Sequence, residues 1–137
     1  MQFVHVEPER IEAQWPLIAE ILAPAVRNDP RQTMEGLHRR LAAGADGLLE
    51  VTGPGRCLIV IEVTDDLVCW TKYLAGTIEG GPKARIAIMR EAVRQIETLA
   101  RNAGCTEHRL CGRDWSAILP DYQPFDGHRN GLKKELR

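Results

Sequence analysis

Cys105, His108 and Cys111 stand three apart, a spacing at which thiolate and imidazole ligands could meet on a zinc ion. The same stretch has an extended pattern, however. A strand from Glu107 to Gly112 turns His108 and Cys111 to opposite faces, because side chains alternate with period two. No fourth ligand is evident, so no metal site is expected, and the trio is read as packing thiols and a surface histidine. Cys57, Cys69, Cys105 and Cys111 contain no CxxC pair, and two of them lie in apolar runs where reduced cysteine acts as a small hydrophobe. Four reduced thiols are predicted. Glu62 is the most suggestive carboxylate: it interrupts an apolar run, where partial burial would raise its pKa toward neutrality and suit it to accept a proton. Beside Thr64 and Asp65 near a strand end, it could equally face water, and Glu50 is the second carboxylate candidate.

Two further groups of residues could recognise a macromolecule. Arg129, Lys133, Lys134 and Arg137 are interleaved with Asp126 and Glu135, which reads as a solvated hairpin rather than a nucleic-acid surface, since tracking phosphates needs unopposed cations. Trp15 and Trp70 fall in core-like patterns, whereas Trp115 beside Asp114 at a loop-to-helix junction could present an exposed indole as an anchor for another protein.

The elements that position these residues must fit in 137 residues, 44% of them apolar and 27% charged, with a formal net charge of -1. One globular domain spanning 1–137 is expected, able to bury roughly two-thirds of its unfolded surface without staples. The near-neutral charge argues against direct nucleic-acid or anionic-membrane binding. MQFVHVEPER lacks the apolar run of a signal peptide, and no stretch approaches the roughly 18 apolar residues of a membrane helix, so a cytoplasmic location is expected.

QFVHV (2–6) alternates as a short strand does. Ile11, Trp15, Ile18, Leu22 and Val26 then form one apolar helical stripe, with Pro16 predicting a kink or a new helix start. Asp29 and Pro30 would cap a second helix carrying Met34, Leu37 and Leu41 inward and stopping before Gly44. Residues 48–52, 57–64 and 67–75, separated by GPGR (from Gly53) and Asp65-Asp66, form a three-stranded antiparallel meander whose middle strand is buried on both faces. A long helix begins at Pro82, with Ile86, Met89, Val93, Ile96, Ala100 and Ala103 inward and Lys83, Arg90, Arg94, Glu97 and Arg101 on the other face. A strand over 106–112 comes next, parallel or adjacent to the last meander strand. A helical turn at 114–119 and a hairpin of strands near Tyr122–Phe125 and Leu132–Leu136, turning at Asn130-Gly131, complete the chain.

This order resembles the GNAT (N-acetyltransferase) superfamily over nearly the whole chain, supported locally by LARNAGC (Leu99–Cys105), WSAILPDY (Trp115–Tyr122) and LKKEL (Leu132–Leu136). The resemblance implies an α/β (α+β) fold with a mixed, mainly antiparallel sheet of six to seven strands and helices on both faces. More narrowly, Gly112-Arg113, Trp115, Leu119-Pro120-Asp121-Tyr122 and the terminal LKKEL look like small GNAT-like proteins encoded among virion morphogenesis genes of tailed phages and prophages. That subgroup implies no catalytic role.

In the superfamily's acetyltransferases, acetyl-CoA is held where the fourth strand meets the long helix, whose N-terminus presents unpaired N–H groups to a pyrophosphate. The resemblance places that site at Gly80 and Gly81, with Lys83 and Arg85 as supporting cations. Thr77 and Pro82 depart from the family's loop pattern, the proline removes an N–H donor, and Glu79 adds a negative charge. A Gly-Gly turn that only starts a helix explains the same residues. By position, Glu62 or Glu50 is the candidate base, and Tyr122 or Tyr73 the candidate acid; Tyr122 lies near where the family carries its acid tyrosine. The resulting expectation is a virion-associated or assembly protein that binds other protein subunits, with no cofactor. The alternative is an acetyl-CoA-dependent N-acetyltransferase acting on a small amine or protein N-terminus.

Overall fold

The computed structural model describes residues 1–53 and 55–137. The chain order is β1 (Gln2–Val6), α1 (Pro8–Arg27), α2 (Met34–Ala42), β2 (Asp46–Gly53), β3 (Gly55–Val63), β4 (Val68–Ile78), α3 (Pro82–Asn102), β5 (Glu107–Leu110), β6 (Gln123–Pro124) and β7 (Leu132–Glu135). The strands form one seven-stranded sheet in the order β1-β2-β3-β4-β5-β7-β6, the mixed, mainly antiparallel arrangement expected. The β4–β5 pair is parallel, as a long helical crossover between them requires. The chain divides into two compact units, 1–62 with 73–79 and 63–72 with 80–137.

In the first unit, Ile11, Ile18, Leu22 and Val26 of α1 and Leu37 and Leu41 of α2 share a core with Leu48, Leu58, Val60, Tyr73 and Ala75. β3 is buried on alternate sides from Cys57 to Ile61, so both of its faces are covered. α1 passes through Pro16 and Pro24 as one helix instead of restarting, and both prolines sit on its exposed side, where water can satisfy the carbonyls they leave unpaired. Trp15, expected in the core, is half-buried at its edge and stacks on His38 with ring centroids 4.0 Å apart. Thr33, not Asp29, caps α2, its Oγ1 accepting from the Gly36 N–H at 3.0 Å. Asp29 is occupied elsewhere. Gly44 takes the left-handed conformation beyond α2 (φ 76°) as its position predicts. Of the GPGR turn, Pro54 lies outside the described residues, and Gly53 and Gly55 face each other beside it.

Gly76 has φ 120°, and a Cβ there would run into the Arg56 carbonyl oxygen. Strain and collision act together, so Gly76→Ala is expected to cost about 2 kcal/mol or more in urea unfolding.

In the second unit, α3 buries Ile88, Ala92, Val93, Ile96 and Ala100; of the expected inward set, Ile86 and Met89 are only half-buried and Ala103 is exposed. Gly104 (φ 83°) ends the helix, with the Cys105 N–H reaching back to the Ala100 carbonyl at 2.8 Å. Residues 115–119 make a turn rather than a helix: the Ile118 and Leu119 N–H groups both donate to the Trp115 carbonyl. Trp115 is only 4% exposed, so the expected surface anchor is a core side chain. Trp70 is half-buried instead of central, packed with Phe125, His128 and Arg109. The closing hairpin is present as β6 and β7, with Asn130 at φ 52°.

Candidate functional site

The start of α3 is the first place where chemistry could sit. Gly80 adopts φ 110°, a conformation that favours glycine, and turns the chain into Gly81, the extended N-cap. No side chain caps the helix, and no acidic residue occupies its first turn. Helical bonding begins with the Arg85 N–H donating to the Gly81 carbonyl at 3.1 Å. Pro82 has no N–H, so the first-turn donors are the Lys83 and Ala84 amides, beside the exposed side chains of Lys83 and Arg85. A Cβ on Gly81 would meet nothing within 4 Å, so the space beside the N-cap is open. An anion suits this end of the helix.

A second feature lies along β4. Its register with β5 runs from Val68↔Glu107 to Thr71↔Leu110, where β5 ends. β4 itself continues to Ile78, so Lys72 to Ile78 extend beyond their parallel neighbour.

Glu62 stands in the first unit. The register sets it directly opposite Asp46, two like charges that would destabilise the β2–β3 pair on their own. Arg40 from α2 resolves the conflict. Its Nη2 donates to Glu62 Oε2 at 2.7 Å and to Asp46 Oδ1 at 3.0 Å, while Nε donates to Asp46 Oδ2 at 3.1 Å. Asp46, whose side chain is fully buried, raises the Arg40 pKa through these hydrogen bonds, with Glu62 adding to the effect. One Glu62 oxygen is therefore committed to a cation. Glu50 is likewise paired with Arg56. Tyr73 donates to Asp29 Oδ2 at 2.6 Å; burial and this bond raise its pKa well beyond the usual phenol range. Burial opposes the charge on Asp29, but the hydrogen bonds from Tyr73 and Arg31 prevail and lower its pKa.

Tyr122 stands in the second unit, 6% exposed, within a chain of buried polar groups. Its hydroxyl donates to Glu97 Oε2 at 2.7 Å and lies 2.6 Å from His108 Nδ1. With the phenolic proton committed to Glu97, Nδ1 must donate, so Nε2 is the acceptor and takes the Thr71 hydroxyl proton at 2.8 Å. The order Thr71→His108→Tyr122→Glu97 assigns every proton and fixes one neutral tautomer. Burial, with Lys134 nearby, pushes the His108 pKa down to about 4. Burial and Glu97 push the Tyr122 pKa far above its ordinary value. Glu97 also accepts from Lys134 Nζ at 3.1 Å, and Lys134 reaches Asp121 at 2.7 Å.

Two readings of the sequence are corrected by this arrangement. His108 is completely buried rather than a surface histidine, because its side of β5 faces Tyr122 and Thr71. Glu97, expected on the outer face of α3, is 5% exposed because Tyr122 and Lys134 cover that flank of the helix. Among the predicted site residues, Gly80, Gly81, Lys83 and Arg85 come together in one turn, while Glu62 and Tyr122 belong to different units, each with its own partners. Arg40 and Asp46 went unrecognised, although an arginine in a helix just before a lone aspartate that opens a strand was a visible signal. Among the described residues, no three His, Cys, Asp or Glu side chains group as metal ligands would, and no helix is long and apolar enough to cross a membrane.

No protein-family model and no curated protein matches the sequence. Solved structures do match along the whole chain. An aminoglycoside 6'-acetyltransferase type Ii superposes with a TM-score of 0.71 at 9% identity, covering 100% of this chain and 98% of that one. A GNAT-family acetyltransferase from Staphylococcus aureus gives 0.60 at 10% identity and 99% coverage of both chains. A Klebsiella pneumoniae protein described as an acyl-CoA N-acyltransferase gives 0.58 at 18% identity, covering 99% and 97%. The fold is the GNAT fold.

Proposed function

We propose that the chain is an acyl-CoA-dependent N-acyltransferase acting on an amine. The observation that carries this reading is the start of α3, whose first turn no side chain caps and no acidic residue occupies. The Lys83 and Ala84 amides, with the Lys83 and Arg85 side chains, suit a pyrophosphate. Acetyl-CoA, when bound, supplies the activated acyl thioester. The residues present fit it, with Pro82 and Glu79 reducing the donors and the positive field at that point.

Glu62 is the proposed base, through the oxygen not bonded to Arg40. Tyr122, whose proton is directed to Glu97 inside the fold, is assigned to holding the short β6 segment rather than to proton delivery. Calorimetric titration with acetyl-CoA tests the reading: micromolar binding is expected, weakened about tenfold or more in a Lys83→Glu/Arg85→Glu variant. Absence of binding at millimolar ligand overturns it.

A second reading is favoured by the ties on Glu62 and Tyr122 and by Thr77 and Pro82 in the loop. In this reading the chain keeps the GNAT fold without catalysis and serves as an assembly protein, associated with a phage virion. Stoichiometric presence in purified particles, together with a null titration, is its signature.

A further inference from the structure

A groove of about 480 Å3 opens in the second unit between α3 and residues 118–121, lined also by Lys134 of β7. On α3, Arg90, Arg94, Glu97 and Arg101 fall within about 60° of arc at 3.6 residues per turn, so a single strip of the helix forms one wall. The opposite wall is partly apolar: Ile118 is half-buried and Pro120 exposed. Four cations line the groove against two carboxylates, Glu97 and Asp121. Its volume lies in the range of ligand-binding pockets, about 300 to 1,000 Å3.

The cations differ in how firmly they are held. Lys134 is fixed by Glu97 and Asp121. Arg90 donates its Nε to the Ile118 carbonyl at 2.9 Å, and its Nη groups make no side-chain bond among the described residues. Arg94 pairs with Glu91 on the solvent side, and Arg101 lies 3.6 Å from Glu97, longer than a good charge-assisted hydrogen bond. The exposed Arg94–Glu91 pair is weak, so an incoming carboxylate can replace it.

From this arrangement we infer that the groove is a docking site for an acidic segment of a partner protein, one that alternates carboxylate and apolar side chains. Charge complementarity selects the acidic side chains, and the Ile118–Pro120 wall selects the apolar ones. A polyphosphate backbone fits less well, since it has no apolar group to set against Ile118 and Pro120. The site is separate from the α3 N-terminus and does not depend on acyl-CoA binding.

The test uses the full chain and two fluorescein-labelled probes, a peptide of repeating Glu-Leu units and a single-stranded oligothymidylate, each followed by anisotropy. The peptide should bind, weaken several-fold when salt is raised, and weaken about tenfold in an Arg90→Ala/Arg94→Ala/Arg101→Ala variant. If that variant melts early, the single exposed change Arg94→Glu should show the same direction of effect. In both variants acetyl-CoA titration should match the parent. The proposal is overturned by absence of peptide binding at millimolar concentration, by equal binding to a folded variant, or by tighter binding of the oligothymidylate.

Discussion

Glu97→Ala should lower the unfolding free energy by about 3 kcal/mol, measured from the urea midpoint, whereas Glu97→Gln should cost about 1 to 2 kcal/mol. The difference stems from what each change leaves behind. Alanine removes the acceptor of the buried Tyr122 hydroxyl and one of the two carboxylates on Lys134. Breaking one side of a buried charged pair commonly costs about 3 to 5 kcal/mol; Lys134 retains Asp121 and is partly exposed, which brings the expectation to the lower end. Glutamine keeps a carbonyl oxygen for Tyr122 and loses only the charge. Equal costs for the two variants would show that packing, not hydrogen bonding, sets the value of position 97.

The second large effect concerns acid. His108 titrates near its ordinary 6.5 when unfolded and at about 4 when folded, so between these values the unfolded chain binds the extra proton. Stability from this site is complete above about pH 6.5 and is lost progressively as the pH falls toward 4. The total is about 3 kcal/mol, since each pKa unit is worth about 1.4 kcal/mol. Protonation is costly here because the imidazole is buried, and Lys134 adds a like charge nearby while Nε2 already accepts from Thr71. Urea midpoints measured from pH 7 to pH 4 should therefore fall steeply in the parent and much less in His108→Gln. Parallel slopes for the two would place the acid sensitivity elsewhere.

Much of this architecture is written in local patterns. The α3 stripe, the β2–β4 meander, the glycine after α2 and the closing hairpin all arise from periodicity and turn chemistry, which depend on neighbours in sequence. Glu97 shows where such patterns stop. It comes directly after Ile96 and lies four residues after Val93, at the margin of the apolar stripe, so its burial depends on whether a distant segment covers that margin. Tyr122 and Lys134, remote in sequence, do so. His108 is a similar case: alternation separates it from Cys111 but cannot say which side of β5 is covered. Trp115 was misplaced because a polar neighbour, Asp114, suggested exposure; Asp114 instead accepts from the Ser116 N–H and hydroxyl, and the indole turns inward. For the α3 start, residue types identified the turn, but only the backbone showed that Gly81 leaves it uncapped. Glu62 was legible as a carboxylate in an apolar strand, whereas its tie to Arg40 requires the pairing of β2 with β3.

The two prolines within α1 bear on the order in which the chain acquires structure. Each lowers the intrinsic helical preference of an interior position by about 3 kcal/mol, so 8–27 has little tendency to become helical alone. Its stability comes from Ile11, Ile18, Leu22 and Val26 meeting Leu48, Leu58 and Val60, residues that leave the ribosome later. The segment is thus expected to settle after the strands it packs against, held open until the meander exists to template it. Until those strands are translated, the apolar side of α1 has no surface to pack against, so this helix depends on residues that follow it in the chain.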